Sequence, residues 1–308
     1  DPWGGHHEVT SDVWRQSGFD APSYFFVVES SNRDRFLIAQ NGPDNAWAAG
    51  QWSRFDWTTF DAGEGATLYF CQTRFDAATA AEARATAPAD ATSPAAGGCG
   101  GAPWSALTPA LPELLVSGSF ADGWDGTHEI TATLWAQAGW GNPSFFHITS
   151  FANAERYLVA HNNAHNPWNA GLWSRFDWTF FDDGTGHRLY FCQTSFDAAS
   201  EAAARAVAPP DPTLPTAAGC AGGAWSALTP SDPHLILAGA WRDTDGVSHT
   251  ITADTWRQVS EGSPGQTYAF ALGQFSTTEA WVTAQNDPAN PTDGGAWSRF
   301  DWTFFDAG

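Results

Sequence analysis

The chain has 308 residues, with no Met and no Lys, and 34 acidic residues against 13 Arg, a formal charge of −21 at pH 7. Such a charge opposes nucleic acid and anionic lipid surfaces and favours solubility. No apolar run approaches the roughly 18 to 20 residues that a helical membrane span needs, so no membrane insertion is expected of this segment.

Trp-Ser-Arg-Phe-Asp-Trp occurs three times, at Trp52–Trp57, Trp173–Trp178 and Trp297–Trp302, and matching residues flank each copy. The chain is therefore read as a tandem array. Residues 1–109 form a module without its first strand, 110–230 a complete module, and 231–308 a module without its last strand and disulfide loop. The missing strands and the absent initiator Met suggest a piece of a longer repeating polypeptide, with assembly into a filament as one consequence of open strand edges.

In the complete module the first run, Leu114 to Phe120, leads to an Asp-Gly turn at Asp122–Gly126. From Thr127 to Gln137, His128, Ile130, Ala132 and Leu134 alternate with Glu129, Thr131, Thr133 and Trp135, which predicts one strand with an apolar face. A third run centres on Phe146 and Ile148, a fourth covers Arg156 to His161, the signature strand follows a polar loop, and a sixth run spans His187 to Thr194. In the signature strand Ser174, Phe176 and Trp178 share the face expected in the core, and Trp173, Arg175 and Asp177 share the other. Phe196 to Arg205 predicts a short helix, with Asp197 as N-cap and alanines as helix formers.

Cys71, Cys99, Cys192 and Cys220 repeat a spacing of 28 in two modules without any CxxC pair. One disulfide per module is expected, Cys71 to Cys99 and Cys192 to Cys220, which places the chain outside the cytosol, in the extracellular space or at the cell surface. Six strands and one short Ala-rich helix predict an all-β array of small antiparallel meander barrels, with a two-sheet sandwich as the alternative.

Three groups of repeated polar residues are candidates for a site. Arg54, Arg175 and Arg299 with Asp56, Asp177 and Asp301 form either charge-assisted pairs that close a barrel end or the lining of a polar ligand site. Trp47 and Trp168, beside Asn41, Asn45, Asn162 and Asn166, suit sugar recognition, since the ring stacks on a pyranose and amides bond its hydroxyls. The plainer reading is that these tryptophans plug the barrel mouth while the amides cap turns. His7, His128 and His249, with the Ser and Asp of each signature, make a Ser-His-Asp grouping conceivable, without the nucleophile elbow or oxyanion segment that would support it. Acidic turns suggest turn chemistry before calcium, and no metal or cofactor is expected.

Gly239-Ala240-Trp241, followed by His249-Thr250-Ile251-Thr252, resembles the opening strand and hairpin of calycin barrels such as lipocalins and avidins. That resemblance implies a barrel in which Arg299 or Arg175 packs over the strand's Trp. Trp-Ser-Arg-Phe-Asp-Trp, Tyr-Phe-Cys-Gln and Gly-Gly-x-x-Trp-Ser-x-Leu resemble uncharacterised repeat modules of secreted or surface proteins of myxobacteria. The expected function is a non-enzymatic structural or adhesive repeat protein whose partners are copies of itself, other extracellular proteins or glycans. A carbohydrate or small-ligand binding protein is the alternative, and a hydrolase the third reading.

Overall fold

The computed structural model describes residues 1–304 apart from 20, 62, 64, 140 and 261–266. The fold is all-β. The first sheet contains β1 (His6–Val9), β2 (Val13–Ser17), β3 (Ser23–Ser31), β4 (Phe36–Asn41), β5 (Trp52–Asp61), β6 (Ala66–Ala77) and β7 (Ser105–Leu107), with α1 (Ala80–Ala85) after β6. The second contains β8 (Gly118–Asp122), β9 (Thr127–Ile130), β10 (Leu134–Ala138), β11 (Ser144–Ala152), β12 (Tyr157–Asn162), β13 (Trp173–Asp182), β14 (His187–Ala198) and β15 (Ser226–Pro230), with α2 (Glu201–Arg205) after β14. The third contains β16 (Gly239–Arg242), β17 (Val247–Ile251), β18 (Thr255–Ser260), β19 (Thr267–Ser276), β20 (Trp281–Asn286) and β21 (Trp297–Asp301).

All three sheets are antiparallel meanders, and the second closes into an eight-stranded barrel when β15 pairs with β8. Several of its strands differ from the expectation, the first being Gly118–Asp122 in place of Leu114 to Phe120. The run from Thr127 to Gln137 is two strands, because Thr131 closes a turn: its N–H and side chain both bond Leu134 O. That turn resets the alternation, so Trp135 lies opposite Ile130 and faces inward, while Leu134 faces outward. Ser226–Pro230, which carries little apolar patterning, is the strand that closes the ring.

The barrel interior is packed with rings. Trp135 stacks on Phe176 at 4.4 Å, Phe146 meets Phe176 edge-on at 5.0 Å, and His128 meets Phe191 at 5.1 Å. An eight-stranded barrel has an interior that side chains can fill, and here they do so with aromatics. The first sheet repeats the packing, with Trp14 on Phe55 at 4.6 Å and His7 against Phe70 at 5.0 Å.

The outer face of the β12–β13 pair is covered too. Each short helix begins at a Ser or Thr cap, Thr79 in one copy and Ser200 in the other, whose oxygen accepts the N–H of Glu82 or Ala203. Asp197, expected as the cap, lies inside β14 instead, because that strand runs on to Ala198. Helix α1 buries Ala83 against Phe36 and Ile38, the outward side chains of β4. This second layer explains why Arg175 and Asp177 are as buried as Phe176 although they point the other way. Trp178 is buried and its counterparts Trp57 and Trp302 are half-buried.

Both expected disulfides are formed, Cys71 to Cys99 and Cys192 to Cys220, each across a separation of 28 residues. Closing a loop of that length removes about 3 to 4 kcal/mol of chain entropy from the unfolded state, in the loop-closure account. The stapled segments include long stretches outside regular structure, so the bridge supplies what they lack in apolar contacts.

By packing, the residues group into two units, Asp1–Leu115 with Asn153–Glu155 and Phe180–Arg188, and Val116–Ala152 with Arg156–Thr179 and Leu189–Gly308. In the second unit the segment before β16 is tied to the barrel wall: Ile236 packs with Leu134, Ala136 and Phe145, and Phe304 lies 4.5 Å from Phe145. In the first unit the equivalent residues recur, with Leu115 beside Val13 and Phe26, and Phe180 at 5.3 Å from Phe26. Among the described residues no helix is long and apolar enough to cross a membrane.

Candidate functional site

The signature Arg and Asp are paired on the outer wall of the sheet and do not close a barrel end. Arg175 Nη2 donates to Asp177 Oδ1 at 2.7 Å and Nε to Oδ2 at 2.9 Å, while Nη1 donates to the carbonyls of Arg205 and Val207, both at 2.8 Å, at and just after the helix C-terminus. The guanidinium lies over Tyr157 at 4.3 Å, and Thr194 donates its hydroxyl to Asp177. Arg54 and Asp56 repeat this with Arg84 O, Thr73 and the Phe36 ring. Arg299 and Asp301 form the same pair while exposed, over Trp281. Neither Arg175 nor Arg299 takes the role over Trp241 that the calycin resemblance implies; the Trp241 indole donates to Leu237 O at 2.8 Å.

The histidines are engaged by a different carboxylate from the one considered in the sequence. In the barrel, Trp135 Nε1 donates to His128 Nδ1 at 3.1 Å, and His128 Nε2 lies 3.1 Å from Asp122 Oδ2. An indole nitrogen can only donate. Nδ1 is therefore the acceptor, and Nε2 carries the proton that Asp122 accepts. The same Asp–His–Trp chain recurs as Asp1, His7 and Trp14, and as Asp243, His249 and Trp256. Both ring nitrogens are spent inside the fold, so the Ser-His-Asp grouping with signature residues does not form. Its Ser174 donates instead to Asn162 Oδ1 at 2.6 Å.

Burial pushes His128 below the ordinary imidazole value, against the pull of Asp122. His7 is pushed to about 4 by burial first, then by the amino terminus and His6. Burial works to raise Asp122, but the N–H groups of Trp124 and Gly126 and the His128 ring together hold it below the usual carboxylate range. These are turn-making interactions. Asp122 Oδ1 accepts the N–H of Trp124 at 2.8 Å and of Gly126 at 2.9 Å, leaving Oδ2 for the histidine. Among the described residues no three His, Cys, Asp or Glu side chains converge as a metal site.

The amides beside the loop tryptophans are caps, as the plainer reading held, and are spent. Asn162 Nδ2 donates to Asn169 O at 2.9 Å and Phe196 O at 3.0 Å, and Asn166 bonds both the N–H and the C=O of Phe145. Asn41 and Asn45 hold the first loop identically, through Ala48 O, Phe75 O and the Tyr24 backbone. All four are buried, which takes the amide half of the sugar-binding expectation out of reach. The tryptophans themselves do not plug the mouth. Trp47 is 85% and Trp168 79% exposed.

A cleft of about 140 Å³ in the second unit is lined by apolar side chains together with Glu129, Gln137 and His234. Glu129 accepts the His234 N–H and the Ser119 hydroxyl, and burial pushes its carboxyl up to about 7. Sequence reading missed this residue because a lone Glu on a strand carries no motif. It also missed the exposed pair Trp3 and Trp124, 77% and 75% exposed, one turn position in two copies. Compared with known proteins, the chain matches no family model, no curated protein and no solved structure.

Proposed function

We propose that the chain is a non-catalytic, extracellular adhesive repeat protein whose first two modules present aromatic rings to a partner. The observation that carries this reading is a division of labour within the repeated residues. The polar ones are buried and engaged within the fold, with Arg175–Asp177, Asp122–His128–Trp135 and Asn162–Ser174 each bonding one another. The large repeated side chains left in solvent include Trp3, Trp47, Trp124 and Trp168, together with Phe75 and Phe196. An enzyme needs a nucleophile, base or acid that can reach a substrate, and the histidines that would serve have both nitrogens occupied. Two disulfides support an oxidising compartment.

The test exposes the purified chain to insoluble polysaccharides and to protein-coated beads, and in parallel to chromogenic ester and glycoside substrates. Retention on at least one surface without turnover is expected, and light scattering of the same sample reads self-association. Hydrolysis above the buffer rate that co-purifies with the chain would overturn the non-catalytic reading, and retention on no surface would overturn the adhesive one.

A further inference from the structure

The cleft in the second unit lies where, in the first unit, an arginine side chain stands. Arg15, on β2, is buried at 5% exposure. Its Nη1 donates to Glu113 Oε2 at 3.2 Å and to Ser17 Oγ at 3.3 Å, and the guanidinium also hydrogen-bonds the Tyr24 side chain. In register with the repeated signature, Arg15, Glu113, Ser17 and Tyr24 become Ala136, His234, Ala138 and Phe145 in the next copy. All four of these line the cleft. The space that the arginine fills in one copy is therefore the space open beside Ala136 in the other. The third copy has Arg257 at this position, so the second alone lacks the cation.

What the second copy keeps is the acid. Arg15 lies directly opposite Glu8 on the neighbouring strand, and Ala136 lies directly opposite Glu129. Residues so paired bring their Cβ atoms within about 4.5 to 5.5 Å, so Glu129 borders the vacated place. It is 7% exposed, and its oxygens accept the His234 N–H and the Ser119 hydroxyl. A carboxylate can accept about four bonds, which leaves capacity for a further donor. The remaining lining is largely apolar, with Pro143, Phe145, Leu235 and Ile236, and no Arg is among the described lining residues. The His234 ring turns its Nε2 towards Ser231, at 3.3 Å. A carboxylate buried without a cation is costly.

We propose that this cleft is a socket for a small guanidinium ion on a short alkyl stem, which takes the place of the Arg15 side chain, with its head against Glu129 and its stem against Phe145, Leu235 and Ile236. The cleft's volume of about 140 Å³ is close to the roughly 150 Å³ of an apolar cavity that accepts benzene. Ethylguanidinium has as many heavy atoms as benzene. A primary ammonium is more strongly hydrated and lacks the planar fork that meets a carboxylate at two points. The charge of −21 favours cations as a class. The site goes beyond the adhesive reading and does not depend on it.

Titration of the full chain with ethylguanidinium chloride, read by backbone amide NMR shifts, tests this, with potassium chloride at matched concentration as the screening control. A pH above the value of about 7 to which burial pushes Glu129 keeps its carboxyl ionised. Saturable shifts are expected at Glu129, Gln137, Ala138 and His234, with a dissociation constant on the order of 1 mM for so small a ligand. Ala136→Arg fills the socket from within and should abolish them, and Glu129→Gln should weaken binding about tenfold. Since a lost signal can come from a disturbed hairpin, the reverse variant is decisive: Arg15→Ala opens the equivalent socket beside Glu8 and Glu113 and should add a second saturable site, read at Ser17 and Tyr24. An N-acetylated, amidated Gly-Arg-Gly peptide separates two sources of the same chemistry. Tighter binding than ethylguanidinium supports the socket and assigns it to an arginine side chain of another chain; weaker binding supports it as a site for a free guanidine. Absence of saturable shifts, equal binding of the neutral isostere ethylurea, shifts that persist in Ala136→Arg, or no second site in Arg15→Ala overturns the proposal.

Discussion

Asp177→Ala should destabilise the barrel by about 3 to 5 kcal/mol, the cost of leaving a buried cation without its counter-ion. Arg175 is 5% exposed and Asp177 3%, beneath α2. Removing the carboxylate takes away the partner of Nε and Nη2 and the acceptor of the Thr194 hydroxyl, while Nη1 stays pinned between the Arg205 and Val207 carbonyls. Hence the guanidinium cannot swing out to water without detaching the helix. The double variant Arg175→Met with Asp177→Leu removes both charges and should recover most of the loss, since a buried pair often breaks even against apolar groups. The third copy is the control: Asp301→Ala breaks an exposed, solvent-screened pair and should leave stability nearly unchanged. Native-state hydrogen exchange of the β12 and β13 amides in a urea series reads these differences locally. A loss at Asp177 no larger than at Asp301 would show that the outer wall is wet.

Much of this arrangement was legible in the sequence, and the failures have specific causes. The repeat, the strand rhythm and the two cysteine pairs announce a disulfide-linked all-β array, because each is a periodic signal that a barrel wall imposes. The pairing of Arg175 with Asp177 follows from two residues on one face of a strand. Their burial does not, since it depends on α2, and an Ala-rich helix leaves no mark of what it covers. The Asp–His–Trp chain had a readable signal that single-copy reasoning overlooks: Asp precedes His by six residues and Trp follows it by seven in all three copies. Strand alternation obscured it, because the turn at Thr131 reverses the register between His128 and Trp135. The exposed tryptophans were half legible. Sequence could flag Trp47 and Trp168 beside amides, but only the loop geometry shows that the amides serve the backbone while the rings are free of it.

Acidification should loosen the first module at His7, while on β9 the responses of His128 and Glu129 oppose each other. His7 has a folded-state value of about 4 against 6.5 when unfolded, so the native state binds fewer protons across that interval. The stability it contributes is present above about pH 6.5 and is lost as the pH falls towards 4. His128, also depressed by burial, acts in the same direction. The geometry gives the reason independently: a proton on Nδ1 of either ring would face the N–H of Trp14 or Trp135, donor against donor, inside a packed aromatic core. Glu129 has the opposite sign. Its value is raised from 4.5 to about 7, so the native state holds a proton that the unfolded chain has released, and stability is gained as the pH falls from 7 to 4.5. Hydrogen exchange corrected for intrinsic rates at pH 7 and pH 4.5 should therefore show faster opening of the β1–β2 hairpin, which holds His7. Imidazole shifts of His7 and His128 should stay those of the Nε2–H tautomer through pH 6. Ordinary titration of either ring near 6.5 would mean that the relay is open to water and that the acid response belongs to other groups.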